Sequence, residues 1–187
     1  MMMKDISLHV MDIAQNSITA GAGNIQIRAA VDRSGDRLDV SVQDDGRGMS
    51  EETVKRVVNP FVTSRTTRKV GLGIPFFKAG AEACGGDFEL SSHPGKGTFI
   101  RAGYRLSHID RPPLGDMAQT VLTLAVCNPA LEFIFQYSVD GKDFCFDTRQ
   151  IRSALGQDVP LNTPEVYEWM RDYLSEGIQE LNGGIDI

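Results

Sequence analysis

Two short runs of alternating apolar residues, Ile25, Ile27, Ala29 and Val31 and then Leu38, Val40 and Val42, flank the segment Asp32-Arg33-Ser34-Gly35-Asp36. A period of two places every apolar side chain on one face of a strand, so the pair predicts a β-hairpin with one buried face. The second run ends in Asp44-Asp45-Gly46-Arg47-Gly48, and Ser50-Glu51-Glu52 follows as a helix cap with acids in its first turn. A half-apolar sheet needs a helix layer over it, and the rest of the chain supplies one.

Ahead of the hairpin, Ile6, Val10, Ile13, Ser17 and Ala20 recur at helical spacing before Gly21. After it, a helix is predicted from Ser50 to Val58, where Asn59-Pro60 ends it. Residues 62 to 70 are polar and basic without a period and read as a loop. Pro75 fits a first helical turn, and Phe76 to Cys84 continue to Gly85-Gly86. Phe88 and Leu90, then Thr98 to Leu106, alternate as two more strands around His93-Pro94-Gly95-Lys96-Gly97. The order α, β, β, α, loop, α, β, β predicts an α/β (α+β) two-layer arrangement, a mixed sheet covered by helices on one face.

Three segments are expected: a domain over residues 1–107, a linker over 108–115 carrying Pro112-Pro113, and a small C-terminal α+β appendage over 116–187. Within the appendage, Met117 to Val126 reads as a helix in preference to a buried strand. Asp140-Gly141 marks a hairpin between Leu131–Val139 and Lys142–Phe146. A short helix is expected over Thr148–Leu155. A last helix is expected from Pro164 to Leu181, with Val166, Trp169, Met170, Tyr173, Leu174 and Ile178 as its apolar stripe.

The net charge of −6 over 187 residues argues against a broad nucleic-acid surface, which needs clustered Lys and Arg. No apolar run approaches the roughly 20 residues that span a bilayer, and Met1 to Asp5 leads into an amphipathic pattern, so a cytoplasmic protein is expected. Cys84, Cys127 and Cys145 contain no CxxC pair and are expected to be buried free thiols.

Four short pieces carry chemistry. Asp12 and Asn16 are four apart on the first helix and share a face. An Asn carbonyl oxygen suits Mg²⁺ carrying substrate phosphates, and a neighbouring carboxylate can orient or deprotonate a water. Asp44 closes a strand, and a carboxylate there can accept a hydrogen bond from an exocyclic amine such as that of adenine. Gly46 and Gly48 leave room for the approach. Gly71-Leu72-Gly73 opens a helix, where free amides and the helix dipole favour phosphate, and Arg65, Arg68 and Lys69 add positive charge. Gly95-Lys96-Gly97-Thr98 opens a strand. Singly, each piece is also an ordinary helix face, turn or loop. His9 shares the helix face of Asp12 and Asn16, while His93 and His108 are expected on the surface.

In this order and spacing the four pieces resemble the N, G1, G2 and G3 boxes of the GHKL superfamily of ATPases, which takes in gyrase, the heat-shock chaperone, histidine kinases and MutL. The match covers residues 5 to 106. Asp12 to Ala22 is similar to the MutL-type N box, whereas Asn59-Pro60-Phe61-Val62-Thr63-Ser64-Arg65 and the loop to Gly71 look more like histidine kinases. The resemblance implies a Bergerat-type sandwich that binds ATP and Mg²⁺, with Asn16 on the metal and Asp44 on adenine. Gly46, Gly48, Met49 and Thr98 would lie near the base, and Thr63, Ser64, Arg65, Lys69, Gly71, Leu72 and Gly73 would form the phosphate lid.

Where hydrolysing members place Glu as general base, this chain has Asp12, one methylene shorter. The lid is short, and the first helix begins within a few residues of Met1, so no phosphoacceptor hairpin is expected ahead of it. Residues Met117 to Phe146 resemble the start of the second domain of MutL-type proteins. The expected functions are a slow ATPase, a kinase acting on a separate protein, or an ATP-gated binding module. Expected partners are ATP, a further protein and a second copy of the chain, with no membrane.

Overall fold

The computed structural model describes residues 5–58, 73–156, 159–183 and 187. The first helix, α1 (Ile6–Thr19), starts where the Asp5 carboxylate accepts from the Leu8 N–H at 3.0 Å, and it ends ahead of Gly21, whose φ is +77°. Strands β1 (Asn24–Asp32) and β2 (Arg37–Asp44) form the expected antiparallel hairpin, with Ile25 opposite Asp44 and Val31 opposite Leu38. Helix α2 (Glu51–Val58) is capped by Ser50, whose Oγ accepts from the Thr53 N–H at 3.3 Å. Helix α3 (Gly73–Ala83) leads into β3 (Asp87–Ser92) and β4 (Thr98–Arg105). Then come α4 (Met117–Cys127), β5 (Glu132–Val139), β6 (Lys142–Asp147), α5 (Thr148–Leu155) and α6 (Pro164–Asn182).

All six strands belong to one sheet, in the order β3-β4-β2-β1-β5-β6. Strand β5 adds in parallel to β1, so Ile25 lies beside Phe133 and Ala29 beside Tyr137. A parallel neighbour needs a crossover, and the segment holding α4 provides it. The segment expected as a small C-terminal appendage extends the same sheet. Its apolar residues join the same core, in which Ile6, Val10 and Ile25 share one cluster with Val121, Phe133 and Met170. Phe133, Phe135 and Phe146 are fully buried, each contributing roughly 1.5–3 kcal/mol by removal from water. Polar ties reinforce the join. The Asp140 carboxylate accepts from the Arg33 backbone N–H at 2.8 Å, and the Tyr137 hydroxyl donates to Asn182 Oδ1 at 2.5 Å.

The other face of the sheet is charged. Arg37 and Arg101 both bond Asp39 and Asp87. Burial works to raise the Asp39 pKa, but the two guanidiniums outweigh it and hold the carboxyl below its usual range.

Two expectations need correction. Trp169 is 51 % exposed and Tyr173 39 %, while Val166, Met170 and Leu174 form the buried stripe of α6. Trp169 precedes Met170 by one residue, about 100° around the helix, and so falls at the stripe's border. Of the three free cysteines only Cys84 is buried, because Cys145 lies on the charged face of β6 and Cys127 at the end of α4. None of the described helices is long and apolar enough to cross a membrane.

Candidate functional site

Asp44 is the last residue of β2 and is 9 % exposed. Its Oδ2 accepts from the Ser17 hydroxyl of α1 at 2.6 Å, and its Oδ1 accepts from the Gly46 N–H at 2.9 Å. These two donors fix the carboxylate plane, yet each oxygen keeps a further lone pair. The adjacent Asp45 is committed elsewhere, accepting from the Gly23 and Asn24 N–H groups at 2.7 and 2.9 Å. Only the first of the two aspartates therefore faces the site.

Two turns meet behind Asp44. A Cβ on Gly48 would lie 1.9 Å from the His93 carbonyl oxygen, and one on Gly97 would lie 1.9 Å from that of Asp44. Both glycines have positive φ, +65° and +80°, so here the acidic-glycine turn and the Gly95-Lys96-Gly97 turn interlock through backbone alone. The buried Ser92 joins them: its Oγ accepts from the Met49 N–H, donates to the Gly97 carbonyl and lies beside the Thr98 hydroxyl, each at 2.9 Å. Thr98 is the register partner of Asp44 across β2 and β4.

The resulting cavity has a volume of about 510 Å³. Asn16, Asp44, Gly48, Met49 and Thr98 line it, together with Ser17, Thr19, Ala20, Arg47, Ser50, Thr53, Val57 and Ile74. Gly46 is buried immediately behind, against Ala20. Ser17 had a sequence signal: it is a hydroxyl on the apolar stripe of α1, and a polar side chain on a core stripe needs a buried partner.

Asp12 is not in this lining. It lies one turn earlier on α1, against the first residue of α3, where a Cβ on Gly73 would come within 1.8 Å of Asp12 Oδ2. That oxygen is buried and has no hydrogen-bond partner among the described residues. The start of α3 is electrostatically favourable for a carboxylate. His9, one turn before Asp12, is also buried, with no partner for Nδ1 among the described residues and its ring 5.9 Å from that of Phe77. Burial lowers its pKa, against smaller opposing contributions from Asp12 and Asp5. Thr63, Ser64, Arg65, Lys69, Gly71 and Leu72 lie outside the described residues.

Among the described residues no group of three or more His, Cys, Asp or Glu side chains could hold a metal ion. Asn16 is exposed at the cavity and presents one hard oxygen. That donor set does not make a protein cage, but it fits a magnesium ion bound mainly by phosphates and water.

A model of the histidine kinase-, DNA gyrase B- and HSP90-like ATPases matches residues 4–108. The chain belongs to this family. It is the GHKL superfamily expected from the four boxes. Among curated proteins, it is 33% identical over 111 residues to the non-motile and phage-resistance protein of Caulobacter vibrioides, covering 54% of this chain and 13% of that protein. It is 35% identical over 80 residues to the nitrogen regulation protein NtrY of Azorhizobium caulinodans, covering 42% and 10%. It is 30% identical over 110 residues to the cell-division control histidine kinase PdhS of Brucella abortus, covering 52% and 10%. The aligned part is thus about a tenth of these relatives' length. Among solved structures, the ADP-complexed ATPase domain of Aquifex aeolicus MutL superposes with a TM-score of 0.52 at 13% identity, covering 99% of both chains. That likeness concerns the fold, and it includes the strands beyond residue 108.

Proposed function

We propose that this chain binds Mg·ATP in the cavity below Asp44 and hydrolyses it slowly, with the cycle serving a protein partner in the cytoplasm. The observation that carries the reading is the Asp44 carboxylate, nine-tenths buried and held by Ser17 and Gly46 at the base of a cavity of nucleotide size. Asp44 accepts a hydrogen bond from the exocyclic amine of adenine, an interaction the guanine carbonyl cannot supply. Thr98, Met49 and Gly48 border the base. Asn16 gives its side-chain oxygen to Mg²⁺, which when bound offsets charge on the phosphate oxygens.

Asp12 supplies the base. As the oxygen of a water bonds to the γ-phosphorus, the bond to the β–γ bridging oxygen breaks and its electrons leave with ADP, while Asp12 takes the proton of the water. Its Oδ2, without a hydrogen-bond partner among the described residues, is the oxygen that would take the proton. Slow turnover follows from the short side chain, because a water held imperfectly loses much of the advantage of placement.

The local identity to a cell-division control histidine kinase favours a second reading. In it the γ-phosphoryl passes to a side chain of a separate partner protein. A non-catalytic ATP-gated binding module needs neither acceptor.

Phosphate release from γ-labelled ATP, run beside a gel for label on protein, tests these readings. Release that disappears in Asp12→Asn while ATP still binds supports hydrolysis. Label on an added protein without release supports the kinase. Asn16→Ala is expected to remove the magnesium dependence of ATP binding and leave the fold intact. A mutant whose binding stays equally magnesium-dependent would take Asn16 out of the metal site.

A further inference from the structure

Strand β6 is an outer strand of the sheet, with β5 on its inner side. In a two-residue hairpin the residues flanking the turn, Val139 and Lys142, exchange hydrogen bonds, and bonded pairs alternate from there. Phe144 and Phe146 therefore direct their backbone groups to β5, while those of Asp143 and Cys145 point away from the sheet. The Cys145 carbonyl is reached from α6, where the Tyr173 hydroxyl donates to it at 3.2 Å.

An aromatic stack rises from this edge. Phe144 packs on Tyr173 with ring centroids 5.1 Å apart, and Tyr173 stacks nearly parallel on Trp169, again at 5.1 Å. Gly177 makes room for it, since a Cβ there would fall 2.2 Å from the Phe144 ring. Trp169 and Tyr173 remain substantially exposed although every other aromatic side chain on β5 and β6 is buried or half-buried. Beyond Trp169 the helix turns acidic. Glu165, Asp172 and Glu176 stand at i−4, i+3 and i+7 from it, on one exposed face. Arg171 pairs with Asp172, and among the described residues no cation pairs with Glu165 or Glu176.

We propose that this edge docks an extended segment of a partner protein that carries Lys or Arg at alternate positions. Its backbone pairs with the outward groups of Asp143 and with the Cys145 N–H, as an added strand does at a sheet edge, while the Cys145 carbonyl keeps the Tyr173 hydroxyl. A strand's side chains alternate between faces, so every second residue lies on the α6 side. There one long cationic side chain crosses the Trp169 ring toward Glu165, and the next on that face crosses the Tyr173 ring toward Glu176. Charge complementarity selects this occupant. A second copy of the chain, pairing β6 with β6, would bring an equally acidic α6 to the same edge.

Trp169 is the chain's single tryptophan, so its fluorescence reports the site directly. The full chain is titrated with an eight-residue peptide alternating lysine and valine. A saturable change in Trp169 emission is expected, about tenfold weaker in affinity for the Glu165→Lys, Glu176→Lys double variant. It is expected to vanish for the same peptide N-methylated at alternate residues, which cannot complete the strand ladder. Thermal melting of the double variant shows that its fold is intact, since both positions are exposed. The proposal is overturned by an equal response to a glutamate–valine peptide, by an equal response to the N-methylated peptide, or by no response at millimolar peptide. Sedimentation showing that the chain dimerises through Trp169 would overturn it in favour of a second copy.

Discussion

Asp44 lines the cavity and Asp12 lies one helical turn outside it against α3, and the surroundings of the two carboxylates are opposite. Asp44 receives a hydroxyl and a backbone amide, one on each oxygen. Asp12 has a buried oxygen with no donor among the described residues and meets the bare backbone of Gly73. A carboxylate with fixed donors has a fixed direction, which suits recognition of a ligand group. One that lacks donors keeps its capacity to accept a proton, which suits a base. Under the proposed function the first recognises adenine and the second takes the proton, and each half can be broken separately.

The largest effect is expected at Asp12. Asp12→Asn should lower phosphate release by about 10²- to 10⁴-fold, the usual contribution of a general base, and leave ATP affinity near that of the parent. Release unchanged in the mutant would end the assignment. Asp12→Glu, which restores the longer side chain, is expected to raise turnover.

Next comes Asp44→Asn, which should weaken ATP binding by about tenfold to a hundredfold, on the order of 1.5–3 kcal/mol for loss of a charged hydrogen bond. Calorimetric titration with ATP and GTP measures it. Equal affinities in parent and mutant would remove Asp44 from the adenine role.

Ser17→Ala sharpens the same half. It removes only the donor that orients Asp44, so ATP affinity should fall by about threefold to tenfold while GTP still fails to bind. A loss as large as that of Asp44→Asn would mean that Ser17 itself touches the ligand.

The smallest effect is in stability, on the Asp12 side. Burial lowers the pKa of His9 from its ordinary 6.5, so below that pH the unfolded chain binds a proton that the folded chain does not. The stability that neutral His9 contributes is complete above about pH 6.5 and declines as the pH falls from there toward the lowered folded value. His9→Phe should flatten this part of the curve, visible in denaturant midpoints at about pH 7.5 and about pH 5.5. An unchanged slope would show that His9 binds protons equally in the folded and unfolded chains.

Much of this was legible in local pattern. The β1–β2 hairpin follows from strict alternation, and the Asp140-Gly141 turn from a dipeptide that tolerates the positive φ found at both positions. The cap at Ser50 and the first-turn Pro164 were equally plain, because helix starts and turns are decided by a few adjacent residues. The membership of Asn16, Asp44, Gly48, Met49 and Thr98 in one cavity was expected from the order of the motifs, and they do meet there. Other features were not legible. The period of two runs on from Leu38, Val40 and Val42 to Asp44 and marks which aspartate turns inward, but the hold of Gly23 and Asn24 on Asp45 across a turn left no sequence signal. Asp12 reads as a partner of Asn16, yet it sits outside the cavity lining because α3 packs on it.

By itself, then, the sequence determined the strands, the helices and the identity of the nucleotide motifs, all of which rest on interactions within a few residues. Tertiary structure alone decided that residues 132–147 continue the sheet beside β1, because a parallel pairing joins strands about a hundred residues apart and leaves no local signature. It also decided the fates of two kinds of side chain on already predicted elements. Ser17 became a buried donor because Asp44 lies opposite it, and Trp169 stayed exposed because the sheet ends at β6. In both cases the deciding neighbour comes from another element, and its distance is set only when the layers pack.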